Sequence, residues 1–325
     1  MIATELTRRL GLRLPIIGAP MAGPGLGALT RAVSAAGGLG MLGVSNRSDA
    51  AFVREEAAIA AAGGSPFGIG LQLWAMDGQP GLFDEVCASG AALVAVSFGD
   101  PVSYVRPLHE AGALVASQVS TAAEAVAAAR AGVDVVIAQG ADAGGHSGAV
   151  IGTLPLLQTV LEALEGSSAM VVAAGGIGTG RGLAAVLAAG AQAGLVGTRL
   201  LAATEAAGKP SAKRKVIEAD AEDTVLTRVF DIGAGLAWPS RYPGRALRND
   251  FADRWHGHEE ALSVDQAEAR TTLAQAARDG DYSQAVIYAS SAAEFVRAEQ
   301  PVAEILDQLA ADAEHHLAAV RDLLA

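Results

Sequence analysis

The residues of this chain best placed to do chemistry lie in a short run at 135–148, Val-Val-Ile-Ala-Gln-Gly-Ala-Asp-Ala-Gly-Gly-His-Ser-Gly. A β-branched apolar stretch ends on Gln139, and the residues after it are too small to hold a ligand at a distance. Among them stands one large functional group, His146. An imidazole over a glycine floor can act as base, acid or hydrogen-bond donor near neutral pH. Glycine there lets the backbone come close to a ligand. The competing reading of a lone histidine is a loop side chain satisfied by its own neighbours.

Two more glycine sites come later. One is Ala173-Ala174-Gly175-Gly176-Ile177-Gly178, and the other is Val196-Gly197-Thr198-Arg199. Each follows an apolar strand-like run and precedes a helical one, the setting in which backbone N–H groups and a helix start face an anion. A pair of such loops late in a barrel points to a phosphate-bearing ligand. A rival pattern, Gly180-Arg-Gly182-Leu-Ala-Ala185, matches GxGxxA but falls inside the following helical run, where a dinucleotide turn does not belong. His256-Gly-His258, beside Glu259 and Glu260, and His315-His316 read as solvated faces, so no metal site is expected. Arg241, Arg245 and Arg248 could bind a ligand's anionic tail or fasten one part of the chain to another. There is no Ser-His-Asp pattern, phosphate-binding Walker loop or paired-carboxylate pattern. A phosphate site, a glycine floor and a solitary histidine suit a cofactor enzyme, in which the bound group does the hard step.

The elements that position these residues alternate along the chain. Strand-like runs at 16–19, 39–43, 67–73, 92–97, 114–118, 135–139, 170–174 and 194–196 are separated by alanine-rich helical runs at 26–36, 49–62, 82–88, 102–111, 122–131, 154–164 and 181–189. Repeated βα units of this kind predict an α/β fold, a (β/α)8 TIM barrel, rather than an open doubly wound sheet. Its mouth collects the strand C-termini: Ala19, Pro20 and Met21, Gly70 and Gln72, Ser97, Gln118, Gln139, Gly175, Gly176, Gly197 and Thr198. The barrel is expected over residues 1–208, a cap or insertion over 209–284, and C-terminal helices packing back on the barrel over 285–325. Within the cap, 223–231 reads as a strand or extended arm and 259–278 as one charged helix. In the last run Val302, Ile305, Leu306, Leu309, Ala313, Leu317, Val320 and Leu324 share one helical face.

Composition narrows the class. Of 325 residues, 51% are hydrophobic and only 4% aromatic, and the 39 glycines cluster at strand ends. A net charge of -12 argues against nucleic acid. The single cysteine, Cys87, rules out an internal disulfide and reads as a small packed hydrophobe. The N-terminus lacks a signal-peptide core, and the most apolar region, 169–203, is broken by Arg181, Gln192 and glycines. A cytoplasmic protein without a membrane span is expected, acting as a monomer or homodimer.

Taken together, Pro15-Ile-Ile-Gly-Ala-Pro-Met21, Gly37-Gly-Leu-Gly40, Pro66-Phe-Gly68, Gln139-Gly-Ala-Asp-Ala-Gly-Gly-His146, Ala173-Ala-Gly-Gly-Ile177, Gly197-Thr-Arg199 and Gly244-Arg-Ala-Leu-Arg-Asn249 resemble the FMN-dependent nitronate monooxygenases, formerly 2-nitropropane dioxygenases. The resemblance runs from Pro15 to about Arg254. It implies that Gly175, Gly176, Gly197 and Thr198 hold the FMN phosphate. The segment Ala19, Pro20, Met21 would lie against the isoalloxazine, with Gln118, Gln139 and Gly144 nearby and His146 as the catalytic residue. The implied reaction oxidises alkyl nitronates or nitroalkanes with O2 to carbonyl compounds and nitrite. Two positions depart from the family: Gly70 stands where many relatives have Asn, and Tyr288-Ala-Ser-Ser-Ala292 where many have a Gly-Gln or Gly-Glu loop. FMN-dependent enoyl-acyl-carrier-protein and quinone reductases, which draw on NAD(P)H, share the same motifs and form the alternative. A flavin-free scaffold that keeps the barrel is a third, distant one.

Overall fold

In this computed structural model, which describes residues 2–76 and 78–322, the apolar runs become strands buried on both faces. In chain order the strands are β1 (Ile16–Gly18), β2 (Gly40–Val44), β3 (Phe67–Gln72), β4 (Leu93–Ser97), β5 (Leu114–Val119), β6 (Val135–Gln139), β7 (Gly145–His146), β8 (Met170–Ala174), β9 (Gly194–Val196), β10 (Thr224–Thr227) and β11 (Gly244–Leu247). Eight of them form one parallel sheet in the order β1-β9-β8-β6-β5-β4-β3-β2. It closes where Gly18 N donates to Leu39 O at 2.9 Å and Leu39 N to Ile16 O at 3.0 Å. The (β/α)8 TIM barrel is therefore the observed fold, with every expected strand present to within two residues.

Successive residues on a strand face opposite ways, and the core divides accordingly. Ile17, Leu39, Met41, Leu93, Val135, Ile137, Met170, Val172 and Leu195 fill the interior of the barrel. Their neighbours Ile16, Leu42, Val94, Val136 and Val171 pack outward against the helices. The helix Glu5–Leu10 joins the inner cluster through the fully buried Leu6. The outer helices start where sequence supplies a cap: the side chains of Asp49, Thr121 and Thr179 accept from Phe52 N, Glu124 N and Gly182 N.

The helix that should follow the eighth barrel strand is displaced along the chain. After β9, about a hundred residues intervene before the helix Val302–Asp322 settles against Gly180–Ala188 on one side and Gly27–Ala35 on the other. The contact with Gly180–Ala188 explains the GxGxxA pattern. A Cβ on Gly180 would run into Asp312 Cβ, with Ala313 N at 2.7 Å, so this glycine serves helix-to-helix packing. The last helix buries Val302, Ile305, Leu306, Leu309 and Ala313 and partly buries Leu317. Val320, expected on the same face, is 51% exposed because the helix has by then run past its neighbours, and Leu324 lies outside the described residues.

Residues between β9 and that helix carry their own core of Val225, Val229, Phe230, Ala246, Phe251, Trp255, Leu262 and Leu273. Two expectations are corrected here. The segment 223–231 is a strand only to Thr227, whose Oγ1 accepts from Val229 N at 3.2 Å and turns the chain into the helix Val229–Ala234. The charged segment 259–278 is two helices, Glu259–Val264 and Gln266–Asp279, because Asp265 ends one and supplies the first carbonyl acceptor of the next. β10, β11 and β7 make a three-stranded antiparallel sheet, in which Gly244 pairs with His146 and Arg245 with Gly145. The loop after β6 is thus an edge strand of the cap.

Candidate active site

His146 enters the site as part of that edge strand, which fixes its backbone from the cap side. Its Nε2 lies 3.1 and 3.0 Å from the two carboxylate oxygens of Asp231, and the two side chains are only 8% and 4% exposed. A carboxylate accepts only, so Nε2 is the ring nitrogen that donates to Asp231. No described residue hydrogen-bonds Nδ1. Tyr288 donates from its hydroxyl to Asp231 Oδ1 at 3.1 Å. Burial, and then the neighbouring Asp231 charge, push the Tyr288 phenol well above its usual range, so it stays a donor. Trp238 stacks on the imidazole with ring centroids 3.6 Å apart and planes 7° from parallel.

Glycine makes this approach possible at Gly244. A Cβ there would meet Tyr288 Cε1 at 2.6 Å and His146 Nε2 at 3.4 Å. The backbone of β11 is the floor on which the His146 and Tyr288 rings rest.

The two glycine loops form the other half. Gly175 and Gly176 have φ of +117° and +68°, a left-handed run that turns successive N–H groups towards one side. Gly175 N–H faces Leu195 O at the end of the β8–β9 ladder, and none of the described residues accepts from the backbone N–H groups of Gly176, Gly197 or Thr198. The Thr198 hydroxyl oxygen accepts from Ser290 N and from Ser290 Oγ, each at 3.0 Å, and keeps its own proton to donate. Free N–H groups from two adjacent strands together with that hydroxyl fit a phosphate.

The remaining candidates fall around these halves. A Cβ on Gly197 would contact Ala19 Cβ at 3.3 Å and Met21 Sδ at 3.7 Å, which brings the Ala19-Pro20-Met21 segment onto the second glycine loop. Gly144 admits the backbone of Ala289 and Ser290, which a Cβ would meet at 2.5 Å. Gln118 is the penultimate residue of β5 and Gln139 the last of the neighbouring β6. Neither side chain is drawn into the Asp231 cluster.

Both departures acquire a role. A Cβ at Gly70 would collide with the Pro20 ring, so the larger residue of many relatives cannot enter unless that segment moves. The 288–292 stretch joins the two halves of the site, Tyr288 reaching Asp231 and Ser290 reaching Thr198.

Other expectations resolve on partners. Arg241 pairs with Glu124 and Tyr242, Arg245 with Ala141 O and Thr224, and Arg248 with Asp253. The first two fasten the cap to the barrel. His256 and His315 are exposed and His316 partly so, and no group of potential ligands able to hold a metal occurs among the described residues. Cys87 is partly packed against the core, and burial raises its thiol.

Sequence reasoning missed Asp231. A clue was present in an acid set between Val229-Phe230 and Ile232, where burial of a charge needs a partner. Nothing local pointed to the stack of Trp238 on His146.

Residues 78–312 match the family Nitronate monooxygenase. The chain belongs to that family. Its members are flavin-dependent oxidoreductases, and this chain is an enzyme of that kind. Among solved structures, this nitronate monooxygenase family member resembles FabK from Thermotoga maritima, with a TM-score of 0.85 and 30% identity over 99% of this chain and 100% of that one. It also resembles nitroalkane oxidase from Streptomyces ansochromogenes, with a TM-score of 0.81 and 32% identity over 98% and 99%. In sequence it is 31% identical to an octahydro-indene-carboxyl-CoA dehydrogenase of Mycobacterium tuberculosis, over 78% of this chain and 68% of the relative. No helix among the described residues is long and apolar enough to cross a membrane.

Proposed function

We propose that the chain is an FMN-dependent nitronate monooxygenase that oxidises alkyl nitronates, or nitroalkanes, with O2 to carbonyl compounds and nitrite, with His146 as its catalytic residue. The observation that carries the reading is the pairing of a donor nest at Gly176, Gly197 and Thr198 with a histidine whose Nε2 is held by Asp231. FMN, when bound, supplies electron transfer between substrate and O2. The protein's own residues do the rest. The two phosphate loops hold the anionic tail, and Ala19, Pro20, Met21, Gln118, Gln139 and Gly144 border the ring. For a nitroalkane His146 offers Nδ1 to the proton on the carbon beside the nitro group; for a nitronate, which has already lost that proton, the imidazolium donates to a nitro oxygen. Asp231 stabilises the charge that the ring then carries. On this reading the enzyme is cytoplasmic, takes a small-molecule substrate and O2, and works as a monomer or homodimer.

A second reading, an NAD(P)H-using reductase, is supported by the likeness to FabK and to the mycobacterial dehydrogenase. Anaerobic mixing with NADH, NADPH and ethyl or propyl nitronate, followed by flavin absorbance, separates the two. Bleaching by a nitronate and not by NAD(P)H is expected; rapid bleaching by NAD(P)H alone overturns the monooxygenase reading. A colourless protein that FMN cannot reconstitute would sink both.

A further inference from the structure

Four groups surround the imidazole of His146, and three of them come from the one stretch 231–244. Asp231 meets Nε2 at 3.1 and 3.0 Å, Trp238 covers one face of the ring, and the backbone of Gly244 passes close to Nε2. The fourth, Tyr288, lies with its ring centroid 4.9 Å away and its plane tilted by 52°. A hydrogen bond at one nitrogen fixes a point of the imidazole and not its plane. Trp238 fixes the plane, since its indole runs 7° from parallel at a centroid distance of 3.6 Å.

Two properties of this stack go beyond packing. Neutral aromatic pairs settle offset or edge-on, with centroids about 4.5–7 Å apart, whereas a cation is drawn over the centre of a π face, most strongly that of an indole. Rings 3.6 Å apart and nearly parallel leave little room for an offset, so the contact suits an imidazolium better than a neutral imidazole. Second, Trp238 is itself held. Trp74 packs on it at 4.8 Å, Phe98 meets it edge-on at 5.0 Å and 84°, Pro239 follows it directly in the chain, and only 8% of the residue is exposed. A platform so held passes its order on to the ring it carries.

We propose, resting on the reading above only for the choice of His146 as the proton-handling group, that Trp238 is the positioning residue of that histidine. Its indole fixes the plane of the imidazole, and with it the direction of Nδ1, and stabilises the positive charge the ring carries when both nitrogens are protonated. Trp238 touches neither the phosphate donors nor the reacting atoms, and its effect passes through His146.

The test has an arm that does not depend on turnover. Imidazole is titrated calorimetrically into the purified His146→Ala flavoprotein, where it should refill the place of the lost ring between Trp238, Asp231 and Gly244. Adding Trp238→Leu should weaken that binding about tenfold, the share of one cation–π contact. Equal imidazole affinity with and without Trp238 overturns the proposal.

Turnover supplies the second arm. With ethyl nitronate, Trp238→Leu should lower kcat about tenfold and leave KM within about twofold, while Trp238→Phe, which keeps an aromatic face, should recover most of the loss. In the His146→Ala background Trp238→Leu should cost no further activity, because the ring through which it acts is gone. An unchanged kcat, or the same loss with and without His146, overturns the proposal. Where Trp238→Leu does not fold, Trp238→Met, with similar apolar character and no ring face, takes its place with the same expected losses. Imidazole binding that depends on Trp238, with no oxidation of ethyl nitronate, refutes the monooxygenase reading and leaves this one standing. Oxidation of ethyl nitronate with kcat and imidazole binding indifferent to Trp238 does the reverse.

Discussion

In the barrel, each strand and the helix after it are sequence neighbours, and the contacts that hold them are local. In the cap, the contacts that matter join residues far apart: His146 and Asp231 are separated by 85 positions, Thr198 and Ser290 by 92, and Ala141 and Arg245 by 104. The barrel supplies a rigid rim of backbone donors. The cap supplies the partner that decides which nitrogen of His146 can react. On the proposed reading the two regions divide the work into holding the cofactor and tuning the histidine, and each division can be attacked separately.

The largest effect belongs to His146→Ala. Turnover should fall about a hundredfold to ten-thousandfold while the protein keeps its flavin, because no glycine-loop donor is touched. Loss of flavin together with activity, measured by absorbance after gel filtration, would show that the two regions are not separable.

Asp231→Asn keeps the shape of the partner and removes its charge. A loss in kcat of about a hundredfold is expected, since an amide can bond either ring nitrogen state. An unchanged kcat would reduce Asp231 to a packing residue.

Gly180→Ala tests the barrel side. Its Cβ would drive the last helix away at Asp312 and Ala313, and overpacking of this kind costs about 1–3 kcal/mol. Urea unfolding should show that loss, with kcat and flavin content near those of the parent.

The smallest effect concerns Tyr288. Its folded-state pKa is raised above the unfolded value of about 10. The group thus contributes stability that is present below about pH 10 and is lost as pH rises, since the unfolded chain releases the proton first. Tyr288→Phe should flatten the fall in urea midpoint between pH 9 and 11; an equal slope in both proteins would remove the phenol as its source.

This contrast also explains what could be read in the sequence. β6, β8 and β9 announce themselves by β-branched runs closed with glycine, and Thr121 and Asp49 announce their helices by capping, all within a few residues. The glycine loops at 175–178 and 197–198 were legible for the same reason. Asp231 was not, because its role depends on β11 pairing with the loop after β6, and no short-range pattern encodes that pairing. The 259–278 segment was misjudged because its composition suits helix throughout, whereas the break at Asp265 follows from how the second helix packs on Val229–Ala234.

The late position of the helix Val302–Asp322 bears on how the molecule is made. By the time β9 has left the ribosome all eight barrel strands exist, yet the ring of helices has a gap between Gly180–Ala188 and Gly27–Ala35. At about 5–20 residues per second, the missing stave arrives some five to twenty seconds later. During that interval the apolar sides of two helices stay uncovered, until the last helix seals the wall.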